Sequence, residues 1–429
     1  MKPKLLSSVW RGEAAYFVIF NLTNVLNYVY LIFVGFFLGA DSYGLFGALF
    51  GIVYLASALG NMVKMAVARH VATASAQNGG AITKQVVTAG LAWSAGFALV
   101  VGLILVPAVP LVADALDSPT APVVWSCLAI AFSIWASAAY GVLQGMERFP
   151  SLGAALFVAA AVRIALGGVL VVSGAGVTGA MMGVVLGFAV SALFALVLCF
   201  RQAREPADGR AWTPVAAPRL GSLATVLVAS IVVAAPTSLD VVVVRHVFSG
   251  QDAGVFTGIA VLGRVIIFAS IAVPFTVLPK VAARTASGTD TGRLLVDSLA
   301  ITGCLALAAA GAIVFAVDVL GWQLVGTDVS GAGAALHWYL AAMVLFSLTA
   351  TVIYYQVGKA DGHFVLLAGA PSVVLQGLLI VLIPASLTGV AQLVFVMNAA
   401  LLVVGLFFAT ARVSATSPAK HGNTVAIRS

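Results

Sequence analysis

Long apolar stretches, almost free of charged side chains, constrain the fold of this chain more than any other feature. A helix needs about 20 mostly apolar residues to cross the hydrocarbon core of a bilayer. Stretches of that kind recur along the whole chain, without the alternation of apolar and polar residues that strands require. Lipid admits only helices and closed barrels, so these stretches predict helices. We place twelve transmembrane helices at residues 14–38, 44–66, 86–111, 122–143, 152–173, 177–200, 220–247, 254–280, 295–318, 335–357, 363–384 and 386–411.

The composition excludes most other classes of protein. Of the 429 residues, 62% are hydrophobic and only 8% are charged, whereas about 25% are charged in a soluble domain. A cytosolic enzyme, a secreted domain and a disordered protein are excluded, which leaves an all-α polytopic membrane protein whose solvent is the lipid bilayer. The net charge is +7, but the lysines and arginines occur singly along the chain and form no basic cluster. No nucleic-acid partner is therefore predicted. The three cysteines have no metal-binding spacing, and no metal or other cofactor is expected.

The loops between the predicted helices sort the charges by side. Lysine and arginine occupy the termini and the even-numbered loops, whereas the odd-numbered loops carry Asp41, Asp114, Asp117, Asp252 and Asp328. By the positive-inside rule, both termini lie in the cytoplasm. The sequence therefore predicts a multi-pass protein of the cell membrane whose aspartate-bearing loops lie outside.

The two halves of the chain resemble each other. Residues 39–46 match residues 250–256 with one gap, and Gln144 matches Gln356 at nearly the same offset. Both repeats start on the same side, so we expect two six-helix lobes, related by an axis along the membrane normal, around a central cavity. The predicted organisation is an N-terminal lobe at 1–200, a cytoplasmic linker at 201–219, a C-terminal lobe at 220–411 and a cytoplasmic tail at 412–429.

Ionisable side chains inside the spans are costly and mark candidate functional residues. Asp240 and Arg264 lie at similar depth in the seventh and eighth spans, where they could pair and separate when Asp240 is protonated. The alternative is a static ion pair that clamps two helices. Arg163, near the middle of the fifth span, either faces a polar cavity, bonds backbone carbonyls, reaches Asp240 or serves helix packing. Lys64, near the inner end of the second span, either serves the cavity or snorkels.

The first span carries a polar stripe formed by Asn21, Asn24 and Asn27 at a spacing of three. Such a stripe cannot face lipid cheaply. It either hydrogen-bonds a neighbouring helix or lines the cleft between the lobes.

Three further residues have simpler expected roles. Pro236 interrupts the seventh helix, because proline removes a backbone donor and frees a carbonyl one turn earlier. Arg245, near the outer interface, is expected to snorkel. Asp41 is expected to stabilise a short turn, where aspartate side chains commonly hydrogen-bond the nearby backbone.

Several short segments resemble one known family. Residues 33–46 and 68–72 resemble the first helical hairpin of bacterial polysaccharide flippases, which belong to the multidrug/oligosaccharidyl-lipid/polysaccharide exporter superfamily. Residues 143–149 and 176–180 resemble the same family, as does Leu239-Asp240 in the seventh span.

The resemblance implies a two-lobe, twelve-helix fold that moves polyprenyl-linked saccharides from the inner to the outer leaflet. It implies a cationic cavity for the lipid phosphate, a role that Arg264 and Lys64 fit, and that Arg163 fits if its helix reaches the cavity. Whether protons or sodium drive transport stays open.

Two other functions compete with the flippase. A small-molecule antiporter, for drugs or cations, also has twelve helices. A membrane glycosyltransferase would place a catalytic acid where Asp41 lies. That loop is short, Asp41 has a repeat mate at Asp252 and no outer domain is predicted, so we expect a transporter and not an enzyme.

Overall fold

The computed structural model describes residues 3–77, 84–203, 220–287, 289–320, 332–359, 363–383 and 385–411. Within these ranges every regular element is a helix, as the apolar spans predict. Residues 204–219 of the predicted linker and the whole predicted tail lie outside the described residues.

The helices follow one another with short connections. They are α1 (Pro3–Phe37), α2 (Ala40–Gln77), α3 (Lys84–Leu105), α4 (Ala108–Ala115), α5 (Thr120–Gly145), α6 (Phe149–Val162), α7 (Gly168–Leu170), α8 (Gly176–Gln202), α9 (Leu220–Ala234), α10 (Leu239–Val247), α11 (Gly250–Ser270), α12 (Ala272–Ala286), α13 (Gly292–Leu320), α14 (Gly333–Gly358), α15 (Ala370–Leu382) and α16 (Leu387–Ala411). Turns of π-helix occur at Arg163–Gly167, Val171–Ala175 and Val365–Gly369, and a 3₁₀ turn occurs at Ala235–Thr237.

Ten helical segments of the described chain are long and apolar enough to cross a membrane. An eleventh is added if α9 and α10, which meet at a 52° bend, form one span. The bend falls at the 3₁₀ turn that contains Pro236, as the sequence predicts. The chain is therefore a multi-pass helical membrane protein.

One of these segments, Phe149–Gln202, folds back on itself. Its polar contacts join residues far apart in sequence: Gln202 Nε2 donates to Ser151 Oγ at 2.9 Å, and Ser191 Oγ donates to the carbonyl of Ala155 at 2.5 Å. The reversal occurs at Gly174 and Gly176, whose φ angles of 90° and 56° favour glycine. Two antiparallel arms result, one made of α6 and α7 and the other of α8.

The buried apolar side chains form three clusters in the described chain. The largest lies within α1–α8, with Val261 of α11 joining it, and the other two lie within α9–α16. The outward faces of peripheral helices expose large apolar side chains, such as Leu103, Phe315, Val374 and Phe407. Exposed apolar surface on this scale suits lipid and not water.

Candidate functional site

The two halves meet where α2 packs against α9, α10 and α11. Small residues allow the backbones to approach closely, as at many helix interfaces in membranes. A methyl group on Gly44 would lie 2.7 Å from the backbone nitrogen of Gly254, and one on Gly51 would lie 3.1 Å from the carbonyl oxygen of Ser238. This contact occupies the N-terminal part of both α2 and α11, at the end of the molecule that is predicted to face outward.

Arg245, in the last turn of α10, links the two halves at that same end. Its Nη1 donates to Asp41 Oδ1 at 2.5 Å, its Nε donates to the carbonyl of Leu116 at 3.1 Å and its Nη2 donates to the carbonyl of Asp117 at 3.4 Å. We call these four residues the Arg245 network. Arg245 is only 7% exposed, so it does not snorkel as the sequence suggests, and Asp41 has a partner besides its turn.

Asp240 is fully buried at the start of α10, directly after the 3₁₀ turn. Tyr339 of α14 donates its hydroxyl to Asp240 Oδ2 at 2.6 Å, and the backbone N–H of Val241 donates to Oδ1 at 2.8 Å. The break at Pro236 thus creates a helix N-terminus inside the membrane, and such a terminus favours a negative charge. The direct partner of Asp240 is a tyrosine, and the predicted interaction with Arg264 is a longer-range electrostatic one.

Arg264, on α11, is 8% exposed, and its Nε and Nη2 atoms have no hydrogen-bond partner among the described residues. It interacts electrostatically with the hydroxyl groups of Tyr28 on α1 and Tyr54 on α2. Tyr28 also makes an edge-on contact with Phe268 of α11, with ring centroids 5.2 Å apart. Arg264 therefore lies where helices of the two halves converge, with guanidinium donors available for an anion.

Arg163 lies in the first half, at the start of a π-helical turn. Its Nη1 donates to Asn27 Oδ1 of α1 at 3.1 Å, and its guanidinium lies over Phe188 and Phe50, at 5.2 and 5.8 Å from the ring centroids. It is 6% exposed, and its Nε has no partner in the described part of the chain. Arg163 reaches a neighbouring helix of its own half, where neutral and aromatic groups contact it.

The other predicted site residues are less closely connected to these centres. Asn21 and Asn24 are half-buried on α1, and Asn24 Nδ2 has no partner within the described residues. Lys64 is half-buried on α2, and its backbone packs against Gly141 of α5. Ten residues separate Lys64 from Tyr54, which is about 15 Å along a helix.

Two site residues, Tyr54 and Tyr339, were not identified from the sequence. Tyr339 lies 99 residues from the aspartate that it contacts, and nothing in its neighbourhood in the sequence marks it. Tyr54 follows Gly44 and Gly51, the glycines of α2 that approach the second half. Its position after these glycines is the only sequence signal from which it could have been predicted.

No group of three His, Cys, Asp or Glu side chains in the described chain is arranged to hold a metal ion. Cys127, Cys199 and Cys304 are free thiols. The described residues instead offer three buried cations, Arg163, Arg245 and Arg264, and one buried carboxylate, Asp240.

Comparison with solved structures defines the class of the fold. A multidrug resistance MATE family transporter of the MOP superfamily, in its inward-facing conformation, aligns with a TM-score of 0.73 and 17% identity over 92% of this chain and 96% of that one. The lipid II flippase MurJ, in an inward closed conformation, aligns with a TM-score of 0.68 and 12% identity over 92% and 87%. A MOP superfamily transporter from Pyrococcus furiosus aligns with a TM-score of 0.64 and 17% identity over 96% of each chain. The chain thus has the fold of MOP superfamily membrane proteins.

The family follows from the sequence. A family model described as "Polysaccharide biosynthesis protein" matches residues 9–281, and the chain belongs to that family. No curated protein sequence matches the chain. The resemblance noted in the sequence is confirmed, and the expectation that the chain is not an enzyme agrees with a fold shared by transporters and a flippase.

Proposed function

We propose that this protein is a flippase that moves a polyprenyl-phosphate-linked saccharide from the inner to the outer leaflet, for the synthesis of cell-envelope polysaccharide. The observation that carries the proposal is Arg264, a buried cation at the junction of the two halves whose Nε and Nη2 have no partner among the described residues, in a chain of the polysaccharide biosynthesis family. A head group bearing phosphate and sugar cannot cross hydrocarbon unaided. A polar path between the halves lowers that barrier while the polyprenyl tail remains in lipid.

The proposed architecture has twelve transmembrane helices in two six-helix lobes around a central cavity. Counting the two arms of Phe149–Gln202 separately and the bent pair as one span brings the ten candidates to twelve. The division of the buried clusters supports lobes at 1–200 and 220–411, joined by a linker at 201–219 and followed by a tail at 412–429.

Internal symmetry supports the same division. In the first half α2 packs on α5 and α5 on α8, and in the second half α11 and α12 pack on α14 and α14 on α16. Gly44 and Gly254, which are equivalent in the repeat, contact each other directly. Equivalent residues meet in this way when they lie beside the axis that relates two units.

The orientation that we propose follows from the positive-inside rule, with both termini in the cytoplasm of a cell (inner or plasma) membrane. In that orientation the Arg245 network and the contact of α2 with α11 close the outer side. Rocking of the lobes that keeps this contact while the inner side is open, and breaks it when the outer side opens, would expose the site first to the inner leaflet and then to the outer one.

Each polar residue of the site has a proposed role in this cycle. Arg264 binds the phosphate, because an arginine fork matches phosphate oxygens. Lys64, toward the inner end, attracts the same group on entry. Asn21 and Asn24 line the path with neutral donors and acceptors that suit sugar hydroxyls.

Arg163 and Asp240 complete the proposed machinery. Arg163 is hydrogen-bonded to α1 through Asn27, so that a movement of α1 changes the surroundings of Arg163. Asp240 is the proposed coupling group, which takes up a proton in one state of the cycle, since its contacts in the described chain are a tyrosine hydroxyl and a backbone N–H that donate to it and not oxygen ligands for sodium. Sodium would require several further oxygen ligands.

The first test is lipid analysis after depletion of the protein. Polyprenyl-linked saccharides are extracted from sealed, oriented vesicles, and we expect one species to accumulate on the cytoplasmic face. That species is then the substrate for flipping by the purified full-length protein in reconstituted vesicles. Unchanged lipids in a strain without a second flippase would contradict the proposal.

The second test uses variants in the reconstituted system. Arg264→Ala is expected to lower the flipping rate at least tenfold, since one charge-assisted hydrogen bond contributes about 1.5–3 kcal/mol. Asp240→Asn is expected to flip at a rate that no longer responds to a pH gradient. Arg69→Ala, at an exposed position of α2, is the control. Normal flipping by Arg264→Ala would remove this residue from the mechanism.

A small-molecule antiporter is the second candidate, favoured by the shared fold with a multidrug resistance transporter. It predicts altered drug susceptibility on deletion and no change in lipid-linked saccharides. The two measurements together separate the candidates.

A further inference from the structure

A groove on the lipid-facing surface of the first half lies between the start of α3 and the end of α8. Its lining comprises Lys84, Leu193, Leu196, Val197, Phe200 and Arg201, and its volume is about 560 Å³. All of these residues belong to α3 or α8, and none of them is a residue of the proposed transport site. The groove is therefore separate from that site.

The wall of the groove is an apolar stripe on α8. Leu193, Val197 and Phe200 recur at the spacing that places side chains on one helix face, and they are 56%, 48% and 39% exposed. The stripe runs for about 10 Å along the helix. A surface of this kind fits a hydrocarbon chain lying parallel to α8.

The groove ends in two cations. Lys84 is the first residue of α3, and Arg201 lies in the last turn of α8, and both are exposed. This is the end of the helices that the charge distribution predicts to be cytoplasmic, at the level of the lipid head groups. A cationic rim above an apolar wall is the pattern expected for a basic pocket that binds an anionic lipid.

We propose that this groove binds an anionic phospholipid of the inner leaflet. Lys84 and Arg201 contact the phosphate, and one acyl chain lies along Leu193, Val197 and Phe200. The charge of the rim selects this ligand over a zwitterionic lipid, whose head group carries no net charge. A polyprenyl phosphate has similar chemistry, but the groove lies away from the junction of the two halves where the proposed substrate binds.

The test measures lipid binding to the full-length protein in detergent. Phosphatidylglycerol, phosphatidylcholine and polyprenyl phosphate are titrated separately, and bound lipid is counted by native mass spectrometry. We expect the wild type to prefer phosphatidylglycerol to phosphatidylcholine. The double variant Lys84→Ala/Arg201→Ala is expected to bind phosphatidylglycerol about tenfold or more weakly, since each cation near a membrane surface contributes appreciably to anionic-lipid attraction.

The matched control is Lys280→Ala/Arg284→Ala, which removes two exposed cations from α12 in the other half. We expect it to bind phosphatidylglycerol like the wild type. Equal losses in both double variants would mean that only overall charge matters and would overturn the site. Unchanged binding in the Lys84/Arg201 variant, or a loss confined to polyprenyl phosphate, would overturn it as well. Because flipping is not measured, the outcome is independent of the transport proposal.

Discussion

At the scale of single residues, the buried charges of this protein are stabilised in different ways. Asp240 accepts a hydrogen bond from a tyrosine hydroxyl and lies at a helix N-terminus. Arg163 donates to a neutral amide and lies over two aromatic rings. An isolated charge inside a bilayer is expensive, and neutral partners offset only part of that cost. Within the described part of the chain Arg163 has one hydrogen bond, to Asn27 of α1, and it therefore depends strongly on that bond.

We predict that Asn27→Ala lowers the unfolding free energy by about 1–2 kcal/mol. Hydrogen bonds between membrane helices average about 0.6 kcal/mol with a maximum near 1.7, and a charged donor places this bond at the upper end. Reversible unfolding in mixed micelles measures the difference. Asn24→Ala is the control, one turn away, because its Nδ2 has no partner in the described residues, and it is expected to lose less than about 0.5 kcal/mol. Equal losses would argue against a special role for the Arg163 bond.

At the scale of helices, breaks and close contacts shape the molecule more than straight spans do. The 3₁₀ turn at Pro236 gives Asp240 its helix N-terminus, and the reversal at Gly174 allows α8 to pack on the π-helical turn that follows α6. At that packing Gly183 faces the backbone of Gly167, with no room for a side chain. The hairpin therefore requires glycine at this crossing.

We predict that Gly183→Ala lowers stability by about 1–3 kcal/mol, as overpacking of a close contact does. Its methyl group would lie 3.0 Å from the nitrogen of Gly167 and nearer still to its Cα. Gly311→Ala on α13 is the control, because no atom lies within 4 Å of the added methyl. Alanine there is expected to leave stability unchanged or to raise it. Thermal unfolding of the two purified variants measures both effects, and a Gly183→Ala protein as stable as the wild type would contradict the close contact.

At the scale of the whole molecule, α2 packs against α9, α10 and α11 of the second half, and the predicted outer end of this junction is closed by the Arg245 network and by the contact of α2 with α11. These contacts bring a buried arginine, three backbone carbonyls and a carboxylate together across the halves. His246 adds a contact between its Nδ1 and the carbonyl of Ala115 at 2.7 Å. A cycle that opens this end must break all of these contacts together, so they bias the protein toward the closed arrangement.

We predict that Arg245→Ala increases the opening of this end about tenfold or more, because each charge-assisted hydrogen bond contributes about 1.5–3 kcal/mol. A cysteine at Thr257, which is buried against Gly47 in this contact, reports opening in a background without the three native cysteines. Its labelling by a membrane-impermeant maleimide from outside is expected to accelerate in the variant. His337→Ala, at an exposed position of α14, is the control. An unchanged labelling rate would show that the network does not hold this end closed.

The sequence by itself determined what depends on local composition. Apolar length decides whether a segment can cross a bilayer, and this predicted the helical membrane fold. Proline chemistry predicted the break at Pro236, and short motifs identified the family. These properties can be read locally because each belongs to a short stretch of chain: apolar length is matched to the bilayer, and a proline break arises in the proline's own helical turn.

Only the tertiary structure decided which side chains meet. Asp240 bonds Tyr339, Arg163 bonds Asn27 and Arg245 bonds Asp41, at sequence separations of 99, 136 and 204 residues. The sequence suggested a different partner for Asp240 and a snorkelling Arg245. The true partners of Asp240 and Arg245 depend on how the helices rotate and pack. Helix packing is set by the summed contacts of whole helix faces, so no individual residue carries a signal for it.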